Sequence, residues 1–92
     1  MKEWEREALE LKSKIESLTD EEERIVMRYF IRYRSVGILI ALAELKNEGV
    51  KDPEEVIVRL IEKGLLEKGA ASINLPAALR RYIGRGRGRI NI

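Results

Sequence analysis

Residues 76–92 carry five basic side chains, Arg80, Arg81, Arg85, Arg87 and Arg89, and no acidic one. A guanidinium is planar, always charged, and grips a phosphate through two parallel N–H donors. In Gly84-Arg85-Gly86-Arg87-Gly88-Arg89 the glycines alternate with the arginines. That alternation leaves the backbone free to follow an extended polyanion, and it also denies the segment cheap regular structure. The chemistry on offer is phosphate binding. A second basic set, Arg24, Arg28 and Arg32, recurs every fourth residue. It forms a stripe on one helix face, which is either a second phosphate-contacting face or a solvated one held by Asp20 and Glu21. Lys51, Arg59 and Lys68 are further candidate contacts for nucleic acid.

Other chemistry is excluded by composition. The 92 residues include no Cys and no His. Disulfides, thiolate metal sites, cysteine nucleophiles and histidine bases are therefore absent. No Gly-x-x-x-x-Gly-Lys loop occurs, and the Gly-x-Gly-x-Gly run opens no helix. Neighbouring carboxylates such as Glu54 and Glu55 do not face each other on a helix. No catalytic site, metal or cofactor is expected.

The formal net charge of +2 conceals an uneven distribution. Residues 1–35 hold 8 basic and 9 acidic side chains, and residues 36–75 hold 5 and 7. A weakly acidic body thus ends in an arginine-only segment, a pattern that points to a polyanionic partner. The longest apolar run, Val36 to Ala43, is far short of the ~20 residues that span a bilayer. The charged start Met1-Lys2-Glu3-Trp4-Glu5-Arg6 is unlike a signal peptide. A cytoplasmic protein without a membrane partner is expected. Abundant Glu, Arg, Lys and Ile is a bias shared with hyperthermophile proteins.

Periodicity gives the elements that must position these residues. Trp4, Ala8, Leu11, Ile15 and Leu18 are spaced as a heptad seam. That seam either docks on its own chain or pairs two copies, so Trp4, Leu11, Ile15 and Leu18 are candidate partner or dimer contacts. Thr19 and Glu22 read as a capping box opening a helix to about Arg34, with Ile25, Val26, Tyr29, Phe30 and Tyr33 as its apolar face. Ser35 is expected to cap a third helix from Val36 to about Glu48. With Ile38, Leu39, Ile40, Leu42 and Leu45 nearly all round it, that helix should be central and buried. Gly49 stops it. Asp52, Pro53 and Glu55 mark the next helix start, and Gly64 its end. Leu65 to Leu75 reads as a small hairpin. Pro76 opens a short last helix to about Ile83. Ile90 and Ile92, alternating with Arg89 and Asn91, suit a terminal strand on the hairpin or on a partner.

The order helix, helix, turn, helix, hairpin resembles the winged helix-turn-helix. The stretch Asp52-Pro53-Glu54-Glu55-Val56-Ile57-Val58-Arg59-Leu60-Ile61-Glu62-Lys63-Gly64-Leu65-Leu66-Glu67-Lys68-Gly69 is similar to the third helix and first wing strand of small archaeal members of that family. Leu18 to Glu22, a Leu-Thr-x-x-Glu opening, is similar to their first-helix start. The likeness covers residues 18–76. It implies a mainly α fold with a small β-hairpin, plus an added N-terminal helix and a short C-terminal helix with a basic tail. The divisions are 1–18 for docking or dimerisation, 19–76 for the winged core, and 77–92 for the helix and tail. A plain bundle of four or five helices is the alternative. The Gly-Arg pairs resemble a fragment of the arginine-glycine tails of nucleic-acid binders.

In DNA-binding winged helices the third helix enters the major groove. Here that helix begins Asp52-Pro53-Glu54-Glu55, and those carboxylates repel phosphates. The expected function is therefore a nucleic-acid-binding winged-helix protein, transcriptional, chromosomal or accessory to replication. It would bind double-stranded DNA with weak sequence preference, through phosphate contacts from the tail. The alternative is a non-catalytic protein-interaction subunit that uses the winged helix to dock on a larger complex.

Overall fold

A computed structural model describes residues 1–86 and 88–92; the expectation for Arg87 lies outside the described residues. Five helices and three short strands follow in the order α1 (Glu3–Glu16), α2 (Glu21–Tyr33), β1 (Ser35–Gly37), α3 (Ile38–Asn47), α4 (Pro53–Glu62), β2 (Glu67–Lys68), β3 (Ser72–Asn74) and α5 (Ala77–Gly84). The strands form one antiparallel sheet in the order β1-β3-β2. This is a mainly helical, winged-helix-like fold, with β2 and β3 as the wing. No helix among the described residues is long and apolar enough to cross a membrane.

The caps explain the helix starts. Asp20, not Thr19, caps α2: its carboxylate accepts from the Glu23 N–H at 2.9 Å. Glu22 is thereby released from the expected capping box, and its carboxylate accepts from the Lys51 N–H at 3.0 Å. Asp52 caps α4 as expected, accepting from the Glu55 N–H at 3.2 Å, with Pro53 in the first turn. Gly49 and Gly64 follow α3 and α4 with φ of 98° and 77°, a region glycine enters without a Cβ penalty.

Two expectations about the third helix are corrected. Ser35 does not cap a helix; Ser35, Val36 and Gly37 form β1, opposite Asn74, Ile73 and Ser72. The break is made at Arg34, whose φ of 70° ends α2 and turns the chain into the sheet. Helix α3 therefore starts at Ile38, and only Ala41 and Leu45 in it are fully buried. Ile38 and Leu42 are half-buried, while Leu39 is 82% and Ile40 60% exposed. With β1 occupying the expected first turn, the residues that follow it project past the core edge.

The core is built from one face of each helix. Val26, Met27 and Phe30 of α2 meet Leu45, Val50, Val56, Leu60, Leu65, Leu66 and Leu75, all at most 2% exposed. The seam of α1 is closed within the chain: Ala8, Leu11 and Ile15 are buried, and α1 packs on α5 beside Leu79 and Tyr82. Trp4 and Leu18 sit half-buried at its two ends. Pairing of two copies through Leu11 and Ile15 would require stripping α1 from α5. The segment after α5 forms no strand among the described residues. Instead Ile90 and Ile92 pack back on the core, and the Asn91 N–H donates to Glu16 Oε2 at 2.8 Å.

Tyr29 ties α2 to α3. Its ring lies 5.1 Å from Phe30 edge-on and 5.0 Å from Tyr33, and its hydroxyl donates to the Glu44 carboxylate. Burial, then the bond to Glu44, pushes its ionisation well above the ordinary tyrosine range. The native state thus keeps a proton that the unfolded chain loses above about pH 10. Stability should be independent of this group below that pH. Above it, stability should fall by up to about 1.4 kcal/mol per pH unit. Urea unfolding of the parent and Tyr29→Phe between pH 8 and 11 should converge as the pH rises, and parallel curves would contradict the assignment.

Candidate functional site

Helix α4 would be the groove reader if the winged helix bound DNA, and its side chains are already committed. Among the described residues Glu23 of α2 is the one buried charged residue, 4% exposed. Its carboxylate accepts from Lys63 Nζ at 2.9 and 3.0 Å and from Arg59 Nε at 3.3 Å. Arg59 also reaches Glu55 at 3.2 Å and Asp20 at 3.9 Å. Its hydrogen bond to Glu23 strengthens its hold on its proton. Arg59 is therefore a structural cation, paired three ways, and the sequence-based expectation that it serves nucleic acid is not favoured by this geometry. What remains exposed at the start of α4 is Asp52, Glu54 and Glu55. Lys51 and Lys68 are exposed; Lys51 borders a shallow pocket with Lys46, Asp52 and Glu54, and Lys68 borders another with Glu54.

The stripe Arg24, Arg28 and Arg32 is likewise locally engaged. Arg24 Nη1 donates to the Leu18 carbonyl at 2.9 Å, Arg28 lies 3.5 Å from Glu21, and Arg32 stacks 5.3 Å from the Tyr33 ring centre. Arg28 and Arg32 also border the groove into which Ile90 and Ile92 fold. Arg28 and Arg32 of the stripe are exposed, and Ile90 and Ile92 lie beside them.

Two surfaces are left. The first is apolar. Leu39 and Ile40 of α3 and Val58 of α4, 48% exposed, stand on the outside of the winged core. Between them lies a shallow groove bordered by Ile38, Leu39, Leu42, Ile57, Val58 and Ile61. The wing tip, Ala70 and Ala71, extends it past Ile40. An isolated exposed leucine is ordinary, but several in one contiguous patch mark an interaction site. Sequence reasoning missed this surface, because a helix apolar all round reads as buried. The available signal was Val58, apolar but out of step with Val56, Ile57, Leu60 and Ile61.

The second surface is cationic and lies at the other side of the molecule, where α5 packs on α1. The Arg81 guanidinium lies over the Trp4 ring at 4.3 Å from its centre, and Arg85 at 5.9 Å. Arg80, Arg81, Arg85 and Arg89 are exposed, and none forms an ion pair among the described residues. Of the sequence-predicted arginines, Arg81 and Arg85 are brought together over Trp4, and Arg89 borders a separate small pocket with Arg34 and Ile83. Among the described residues no cluster of acidic side chains could hold a metal ion.

The clamp on Glu23 makes a sharp test. Lys63→Met leaves a buried carboxylate with Arg59 alone and should cost about 2 kcal/mol. Glu23→Met should cost less, because both cations left behind reach water, with 37% and 48% of their side chains exposed. Urea unfolding of the two variants gives the order, and the reverse order would mean the carboxylate is not the strained partner.

Residues 20–81 match a protein family described as PolB1 Binding Protein 2. The match runs from the cap of α2 into α5 and stops short of α1 and of the arginine-rich end. No curated protein matches the chain.

Proposed function

The chain belongs to the PolB1 Binding Protein 2 family, and we propose that it is a non-catalytic partner of PolB1, docking through the apolar face of α3, α4 and the wing. The observation that carries this reading is the exposure of Leu39, Ile40 and Val58 together, on the part of the chain that the family match covers. Protein interfaces are anchored by apolar side chains that fill pockets at the centre of a polar rim. The groove between Leu39 and Val58 has that anatomy, with Glu54 and Lys68 at its borders.

This reading takes precedence over groove binding by the winged helix. A recognition helix needs donors aimed at base edges. Here α4 presents Glu54, Glu55 and Val58 outward, and its own cations are turned to Glu23. A face that repels phosphate and exposes hydrocarbon fits a protein better than a nucleic acid.

Leu39→Glu combined with Val58→Glu tests the docking face. Truncating a central interface anchor typically costs about 2 kcal/mol, roughly 30-fold in affinity. The pair should therefore weaken binding to purified PolB1 by at least that factor in a calorimetric titration. Both side chains are exposed, so the melting temperature should be unchanged or higher. Unaltered affinity in a folded variant would remove this face from the interaction.

A further inference from the structure

The cationic surface at the end of α5 is not used by the docking face. We propose that it binds the phosphodiester backbone of nucleic acid, with Arg80, Arg81, Arg85 and Arg89 as the contacting residues.

Three observations carry this. First, the guanidiniums of Arg81 and Arg85 are held on Trp4, which fixes their planes while leaving their N–H edges exposed. A stacked arginine loses less side-chain freedom when it takes a phosphate, so the surface is preorganised. Second, this end of the molecule has donors in excess. Among the described residues the buried side-chain polar atoms without a hydrogen-bond partner are Trp4 Nε1 and Arg34 Nε. Both are donors, and they flank the last turn of α5. Trp4 lies under Arg81, and Arg34 borders, with Ile83 and Arg89, a small pocket whose lining holds no carboxylate. Both atoms are buried, so they add to the excess of donor groups at this end, while the contact surface itself is made by the exposed arginines. Third, the surface lacks the feature a protein partner needs. Its large aromatic side chain, Trp4, is half-buried beneath the arginines, so the ring is covered and not offered as an interface anchor. A uniform set of arginines around a covered ring suits a hydrated, evenly charged polymer.

The surface also explains why the segment is rich in arginine and lacks lysine. Lysine would supply the charge, but it would neither lie flat on Trp4 nor offer two donors to one phosphate. The contact it makes would be largely indifferent to base sequence.

The test uses the full chain alone, with labelled duplex DNA titrated at several salt concentrations and Trp4, the sole tryptophan, as an internal reporter. Binding should change Trp4 emission, and log K should fall linearly with log salt. Arg80→Gln with Arg89→Gln avoids the Trp4 stack; it should weaken binding about tenfold and flatten the slope by about 1.8. Arg81→Gln with Arg85→Gln should do the same and abolish the emission change, whereas Arg81→Lys with Arg85→Lys should keep most of the salt slope. Circular dichroism identifies any variant that has lost α5, and the Arg80/Arg89 pair then decides. Leu39→Glu with Val58→Glu should bind DNA like the parent, so failure of PolB1 docking and failure of this proposal are separately visible. An unchanged slope in the arginine variants overturns the proposal. So does equal competition by polyglutamate at matched charge, which would assign the surface to an acidic protein segment.

Discussion

The carboxylate of Glu23 is the constraint on which the winged core is arranged. A charge at 4% exposure is tolerable only if it is paired and hydrogen-bonded. Arg59 and Lys63 supply those bonds from one helical face of α4, four residues apart. Helix α4 is thereby locked to α2 in both rotation and depth. Two consequences follow from that rotation. Arg59 and Lys63 are paired with Glu23 while their side chains stay partly exposed, and Val58 is left facing out. The same interaction that fixes the fold therefore decides that α4 presents hydrocarbon and carboxylates to its surroundings.

The second determinant is the turn at Arg34. Its carbonyl accepts from the Leu75 N–H at 2.7 Å while its own N–H closes the last turn of α2 on the Phe30 carbonyl at 2.8 Å. The chain leaves the helix through a backbone region that side chains rarely occupy, and enters a three-residue strand. Because β3 pairs with β1 on one side and β2 on the other, the wing is anchored to the helical body rather than attached by its hairpin alone. The shift of the α3 start to Ile38 is the direct result, and so is the exposure of Leu39 and Ile40. Strand pairing creates the exposed apolar face.

The two surfaces divide the molecule by chemistry. Helices α3 and α4 carry an apolar groove with few free cations, within the span that matches the PolB1 Binding Protein 2 family. Helices α1 and α5 meet where Arg81 and Arg85 lie over Trp4, and Trp4, Arg85 and Arg89 lie outside that span. Helix α1 serves both the core, through Ala8, Leu11 and Ile15, and the cationic end, through Trp4. A short helix gains little stability alone, and here its seam is completed by α5 and by the returning Ile90 and Ile92.

Local chemistry was legible in the amino-acid order. The Asp52-Pro53 start of α4, the Gly64 stop, the hairpin, the heptad seam of α1 and the arginine excess at the carboxyl end all depend on neighbours a few residues away. Those interactions exist in any context. The fate of individual charges and apolar residues was not legible in this way. Arg59 read as a free cation until Glu23, 36 residues distant, met it, and Leu39 read as core until β1 found β3 across the chain. Pairings at that separation close long loops, and no local spacing encodes which partner is reached. Sequence thus set the helix starts and stops that rest on local caps and glycines, and packing decided the strand at Ser35–Gly37 and which faces stay exposed.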